Sequence, residues 1–281
     1  MIKNREREAP VFANINLLGK CNVDCYFCLG KDIPELLNIH NHNNVHFSEW
    51  KNFEQFLQQC KDANIKNLYI TGQNTDALVY KYVGELIDYL QDEHGFDVGI
   101  RTNGYLAEKK IDIANKCKRS VGYSIHSLSS DTNYSIMKRE DIPDWDNILK
   151  NTNNCRVSIV LNRYNVKEMP ALLWYLAKFD NIKYIQVRKI STDTRLEELQ
   201  IDRDIYEKFY KEEILDHVYP LGRIYAMYDF YGATAYDIFG KEVIFWSTVE
   251  TCIDSFNYFT DGTISNKYFV VEGYQNNYEN N

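Results

Sequence analysis

The chain has 281 residues, with 32 lysines and arginines against 40 aspartates and glutamates and a net charge of -8 at neutral pH. That length accommodates one α/β barrel or a barrel with an appendage. The acidic balance argues against nucleic acid as a partner, because such affinity rests on Lys and Arg displacing counterions from phosphate. The opening residues mix charges without an apolar run, no stretch approaches the length of a membrane span, and Cys60, Cys117, Cys155 and Cys252 lack paired spacing. A reduced, cytoplasmic protein with no membrane partner is expected.

Taken in order, strands alternate with helices. Val11 to Leu17 reads as a strand in which Asn14 and Asn16 alternate with Ile15 and Leu17, and it leads directly into Cys21-Asn-Val-Asp-Cys25-Tyr-Phe-Cys28. His40, His42 and His46 follow among asparagines without periodicity, which suits a solvated loop. Ser48 can cap a helix whose Trp50, Phe53, Phe56, Leu57 and Cys60 share one face. Asn67 to Thr71, Phe96 to Thr102, Ser120 to Ser127, Cys155 to Asn162 and Lys183 to Ile190 read as five more strands. Apolar stripes such as Val83, Leu86, Ile87 and Leu90, or Met169, Leu172, Leu173 and Leu176, mark helices between them. This alternation predicts right-handed βαβ units and a parallel sheet. Six strands are too few to close an eight-stranded ring, so the expected fold is α/β: a partial (β/α)6 TIM-like barrel over residues 1–190, with an extension over 191–281.

Polar residues recur at matching places on these strands: Asn14 and Asn16, Arg101 and Asn103, Ser124 and His126, Gln186 and Arg188. On a helix-covered face they would be costly, so they are expected to line a wet lumen that holds a polar ligand. Arg101, Gln186 and Arg188 are candidate substrate contacts, joined by Tyr228, Tyr231 and Tyr236 from the tyrosine-rich last third.

Cys21, Cys25 and Cys28 gather three soft ligands into one loop, one short of a closed zinc site; by residue type alone, zinc and an iron-sulfur cluster both stay open. The C-x3-C-x2-C spacing, with Phe27 directly before the last cysteine, resembles the cluster loop of the radical S-adenosylmethionine (SAM) superfamily. The resemblance implies one 4Fe-4S cluster on these three cysteines, with SAM chelated at the fourth iron. It further implies one-electron cleavage of SAM to a 5'-deoxyadenosyl radical, fed by a reductant such as flavodoxin or ferredoxin.

Cofactor contacts follow from the same resemblance. Thr71-Gly72-Gln73-Asn74-Thr75-Asp76-Ala77 stands where the family has a Gly-Gly-Glu-Pro turn. Gly72 is expected to let backbone approach SAM, Asp76 takes the acid position, and Gln73 is an unusual neighbour. Thr102-Asn103-Gly104 resembles a common family signature. Ser124 matches a residue for the SAM carboxylate, with Lys138 or Arg139 as its cationic partner, and His126 stands where relatives carry an acid for the ribose. Val160 offers backbone to the adenine and Phe27 packs on its ring. No residue is assigned a catalytic role.

Beyond residue 191, Asp202 to Val218 reads as a helix. Strand-like runs then flank Gly240-Lys241 and Asp261-Gly262, the latter a strong hairpin signal. Cys252, a hairpin and Asp261-Gly262-Thr263 resemble the SPASM/twitch extensions of peptide-modifying members. Ser265 and Asn266 replace the further cysteines, so no auxiliary cluster is expected, and Cys252 reads as a buried residue or a hydrogen-atom donor. The extension is expected to cover the barrel opening and exclude water. The expected activity is hydrogen abstraction from a substrate carbon, first in a peptide or natural-product precursor. A nucleotide or nucleotide-sugar is the alternative the arginines prompt, and a non-catalytic iron-sulfur or zinc protein is the third reading.

Overall fold

The computed structural model describes residues 12–32, 39–192, 195–209, 224–230, 233–246 and 255–265, with backbone alone over 224–230 and 233–234. Six parallel strands form its centre: β1 (Phe12–Leu18), β2 (Asn67–Gln73), β3 (Asp97–Thr102), β4 (Val121–Ser124), β5 (Cys155–Val160) and β6 (Ile182–Arg188). Each pairs with the next. Between them run α1 (Phe53–Asp62), α2 (Val83–Asp88), α3 (Ile111–Asn115), α4 (Ser130–Met137), α5 (Trp145–Asn151) and α6 (Met169–Ala177). Side chains alternate across each strand. Ile15, Leu68, Ile70, Val98 and Ile100 therefore enter the apolar layer under the helices, where α1 buries Phe53, Phe56, Leu57 and Cys60 at helical spacing.

The extension does more than the sequence suggested. After α7 (Leu196–Lys208) come β7 (Ile224–Phe230), β8 (Ala233–Ile238), β9 (Lys241–Trp246), β10 (Ser255–Phe259) and β11 (Ile264–Ser265). The two expected hairpins are present as β8 with β9 and β10 with β11. However, β9 also pairs parallel to β6, and β10 parallel to β1. The result is one open sheet in the order β11-β10-β1-β2-β3-β4-β5-β6-β9-β8-β7. Eight contiguous parallel strands run through it, two more than the barrel units alone supply, and they satisfy the backbone edges that β1 and β6 would otherwise leave open.

Packing fastens the new edge. Phe256 and Tyr258 of β10 meet Phe56 of α1 at ring-centroid distances of 5.3 and 5.2 Å, which turns Asn257 between them towards the lumen. The helix expected over 202–218 begins earlier, at Leu196. No helix among the described residues is long and apolar enough to cross a membrane.

Candidate active site

The ends of β1, β2 and β3 and the loops after them converge on a cavity of about 270 Å³. Cys21, Cys25 and Cys28 all line it, each half-buried and free of disulfides. Their loop is pinned by α4, whose Met137 and Ile136 carbonyls accept from the backbone N–H groups of Asp24 and Tyr26 at 3.0 and 3.1 Å. Two donors reach the sulfurs: Gly30 N–H to Cys28 Sγ at 3.3 Å and Asn103 Nδ2 to Cys21 Sγ at 3.6 Å. Gly30 is required by close approach, because a Cβ there would fall 2.1 Å from Asn74 Oδ1.

Burial pushes the Cys21 thiol up to about 11, and burial together with the neighbouring thiols pushes Cys25 up. Such a trio gains from a cation that stabilises its thiolates. Among the described residues no group of three His, Cys, Asp or Glu side chains closes on a single metal ion; the thiols share a cavity wall. A 4Fe-4S cluster bonds each cysteine to a different iron, so three sulfur donors with N–H···S support fit such a cluster.

Beside the loop, the Gly72–Asp76 turn is folded tightly. A Cβ on Gly72 would stand 1.9 Å from the Thr75 carbonyl oxygen, so only glycine fits. Asp76 is buried and staples this turn to the end of β3. Its Oδ1 accepts from Leu78 N–H at 2.9 Å and Thr102 Oγ1 at 2.8 Å, and its Oδ2 from Asn103 N–H at 2.6 Å. Burial pushes its carboxyl up, against the pull of those donors.

Ser124, His126, Val160 and Phe27 close the opposite wall. His126 Nδ1 accepts the Val160 N–H at 3.1 Å, which places its proton on Nε2, and its ring meets Phe27 edge-on at 5.2 Å. Burial and then the Arg188 charge push the imidazole down to about 3, so this residue is a neutral donor at physiological pH. It does not supply the negative charge of the acid it replaces.

The lumen floor is a chain of amides. Asn14 Nδ2 donates to Asn257 Oδ1 at 2.9 Å, Gln73 Nε2 donates to Asn16 Oδ1 at 3.1 Å, and Asn257 Nδ2 is fixed by Ser255. This leaves Asn14 Oδ1 buried without a partner among the described residues, an acceptor open to a ligand N–H or O–H. Arg101 lies over the rings of Tyr69 and Phe12, at 5.1 and 5.9 Å, and lines the cavity together with Arg188.

The structure leaves several expected residues out of this cavity. Arg139 forks onto Asp141 two residues away, at 2.7 and 2.5 Å, and lies over Tyr105, while Lys138 is exposed and lies over Tyr134. Gln186 is buried on β6 between Ser158 and Ile244 without lining the cavity. Tyr236 packs on Phe245. The Tyr228 side chain, Tyr231 and Cys252 lie outside the described residues. Sequence reasoning missed Ser158, Lys189, Ser191 and Asn257, all of which line the cavity. Two of them carried a local signal, Asn257 in the two-residue alternation Ser255-Phe256-Asn257-Tyr258 and Ser158 in Arg156-Val157-Ser158-Ile159.

Comparison with known proteins agrees with this geometry. The Radical SAM superfamily model matches residues 15–169, more than half of the chain. A probable GTP 3',8-cyclase of Methanocaldococcus jannaschii is 24% identical over 168 residues, which are 57% of this chain and 52% of that protein; the chain thus spans about half the length of the curated relative it matches. Among solved structures, SuiB of Streptococcus suis bound to S-adenosylmethionine superposes with a TM-score of 0.62 at 16% identity, covering 92% of this chain and 61% of SuiB. HydG, a maturase of the [FeFe]-hydrogenase, gives 0.52 at 11% identity over 70% of this chain and 47% of its own. These two show the shared fold. With its family model matched across the barrel and three thiols gathered where the strands end, the chain belongs to the radical SAM superfamily, enzymes that use S-adenosylmethionine and a 4Fe-4S cluster.

Proposed function

We propose that Cys21, Cys25 and Cys28 hold the cluster and that the enzyme removes a hydrogen atom from a carbon of a small substrate bearing a phosphate or carboxylate group, a nucleotide being the specific case. The observation that carries this reading is that three thiols and two guanidiniums line one cavity. A 4Fe-4S cluster held by these thiols would supply the single electron for reductive cleavage of SAM, the source of the 5'-deoxyadenosyl radical that would take the substrate hydrogen.

The chain's own residues then divide the work. Gly72, Gln73 and Asp76 form the wall for the amino end of SAM, Ser124 the wall for its carboxylate, and His126, Val160 and Phe27 the wall for its nucleoside. Neutral His126 serves as a hydrogen-bond donor to a ribose hydroxyl. Arg101 and Arg188 pair with the substrate's anionic group, since a guanidinium fork matches phosphate or carboxylate through two bonds. Asn14 Oδ1 accepts from a substrate N–H or O–H. Fixing one C–H bond near the 5' carbon decides which hydrogen is lost, because the radical itself discriminates little. A one-electron carrier of the flavodoxin or ferredoxin class supplies the electron, and Ser191 and Asn257 add to the wall that excludes water.

Relatedness to the probable GTP 3',8-cyclase supports the nucleotide case. A peptide substrate is the second reading, favoured by the β10–β11 hairpin, whose Asp261 caps the turn by accepting from Thr263 N–H at 3.0 Å. Binding of GTP to the reconstituted, SAM-loaded enzyme separates the two. Under the first reading GTP binds, and Arg188→Ala weakens it at least tenfold; no GTP binding, or binding indifferent to Arg188, returns the peptide reading.

A further inference from the structure

Asp32 and Arg195 are 163 residues apart in sequence and meet directly behind the cysteine loop. Arg195 Nε donates to Asp32 Oδ1 at 2.5 Å, its NH1 to the Tyr26 carbonyl at 2.7 Å and its NH2 to the Cys28 carbonyl at 2.8 Å. Thr192 completes the knot, donating from Oγ1 to Asp32 Oδ2 at 2.6 Å and accepting the Arg195 N–H at 3.1 Å. The Asp32 side chain is fully buried and that of Arg195 is 17% exposed. Among the described residues a second carboxylate, Glu198, stands 3.9 Å from Arg195 and is mostly exposed.

We propose that Asp32 and Arg195 are positioning residues for the iron-sulfur cluster: a buried ion pair through which the segment after β6 fixes the cysteine loop and sets how readily the cluster accepts its electron. This rests on the three cysteines holding the cluster. Holding a loop does not by itself call for charge, because a buried ion pair costs desolvation that an apolar contact of the same shape avoids. What charge adds is a field. Both partners lie within Coulombic reach of the Cys28 sulfur. Reduction adds one negative charge at the cluster, which the guanidinium favours and the carboxylate opposes. The latch also adjoins the substrate side, since Lys189, Ile190 and Ser191, directly before Thr192, line the cavity. A second tie comes from α7, which starts directly after Arg195: buried Asp202 takes the fork of Arg163 at 2.7 and 3.0 Å and lies beside Tyr26.

The test is a redox titration of the reconstituted protein followed by electron paramagnetic resonance, with iron counted in every sample. Arg195→Gln removes the positive charge, Asp32→Asn removes the negative one with no change of shape, and Arg195→Lys keeps the sign without the fork. At the potential that half-reduces the wild-type cluster, the reduced-to-oxidised ratio should fall about tenfold in Arg195→Gln, which is about 59 mV for one electron. It should rise by a similar factor in Asp32→Asn and return towards wild type in Arg195→Lys. A merely structural pair would shift both neutralising variants the same way or not at all, and either result overturns the proposal. Loss of iron from all three variants would also overturn it, leaving the pair a loop support only. Retention of iron by Cys25→Ala would instead sink the cluster assignment beneath it.

Discussion

His126 makes the stability of this enzyme fall as acid is added, by an amount that can be worked out. In the folded chain it is a neutral acceptor for the Val160 N–H, and burial reinforced by Arg188 pushes it from the ordinary 6.5 down to about 3. As pH falls through 6.5 the unfolded chain takes up a proton that the folded chain refuses, so the folded state loses ground. Between pH 7.5 and 5.5 the loss amounts to about 1.4 kcal/mol, one decade of unfolded-state protonation. His42 and His94 are also pushed down by burial but are more exposed, and they drop out of a comparison with His126→Asn, whose Oδ1 can still accept from Val160. Anaerobic urea unfolding at pH 7.5, 6.5 and 5.5 is the assay. The wild type should lose about 1.4 kcal/mol more than the variant across that range at an unchanged m-value. Parallel profiles would mean that His126 takes up its proton as readily in the folded chain as in the unfolded one, and the buried imidazole held neutral by its surroundings would have to be abandoned.

Three further outcomes are expected. Gly72→Ala forces the Thr75 carbonyl to move, costing about 1–3 kcal/mol, and should weaken SAM binding measured by equilibrium dialysis; wild-type affinity would remove this turn from the SAM wall. Asp76→Asn keeps one accepting oxygen for Leu78 and Thr102 but turns an amide N–H2 on the buried Asn103 N–H, and should cost about 1–3 kcal/mol in urea unfolding, whereas a change under about 0.5 kcal/mol would show that the staple carries little. Arg139→Ala removes a half-exposed pair with Asp141 and a 3.3 Å bond to the Asn22 carbonyl, and should leave SAM affinity within about twofold; a large loss would return Arg139 to the cofactor site.

The parts of this site that sequence disclosed were those written in local pattern. The cysteine spacing is a motif within one short loop, the alternation of Asn14 and Asn16 along β1 and the polar ends of β3 and β4 repeat with the period of a strand, and the cavity contains them all. Asp76 lines the cavity, but its three intrachain donors could not be read from the sequence, since Thr102 and Asn103 reach it only once β2 and β3 pair. Arg139 lies outside the cavity lining because a carboxylate two residues away takes its fork, a local competition that a family pattern does not weigh. The place of Asn257 in the lumen and the Asp32–Arg195 latch were hidden for a different reason: strand alternation and hairpin signals at residues 255–265 do not say that β10 will add to β1, and no short-range pattern joins residue 32 to residue 195.

The central claim is tested most directly by purifying the chain without oxygen, reconstituting it with iron and sulfide, and adding SAM and dithionite. About four irons per chain and the formation of 5'-deoxyadenosine are expected, with both lost in Cys25→Ala. Zinc in place of iron, or SAM bound without cleavage under strong reductant, would contradict the assignment of this cysteine loop as the site of radical chemistry.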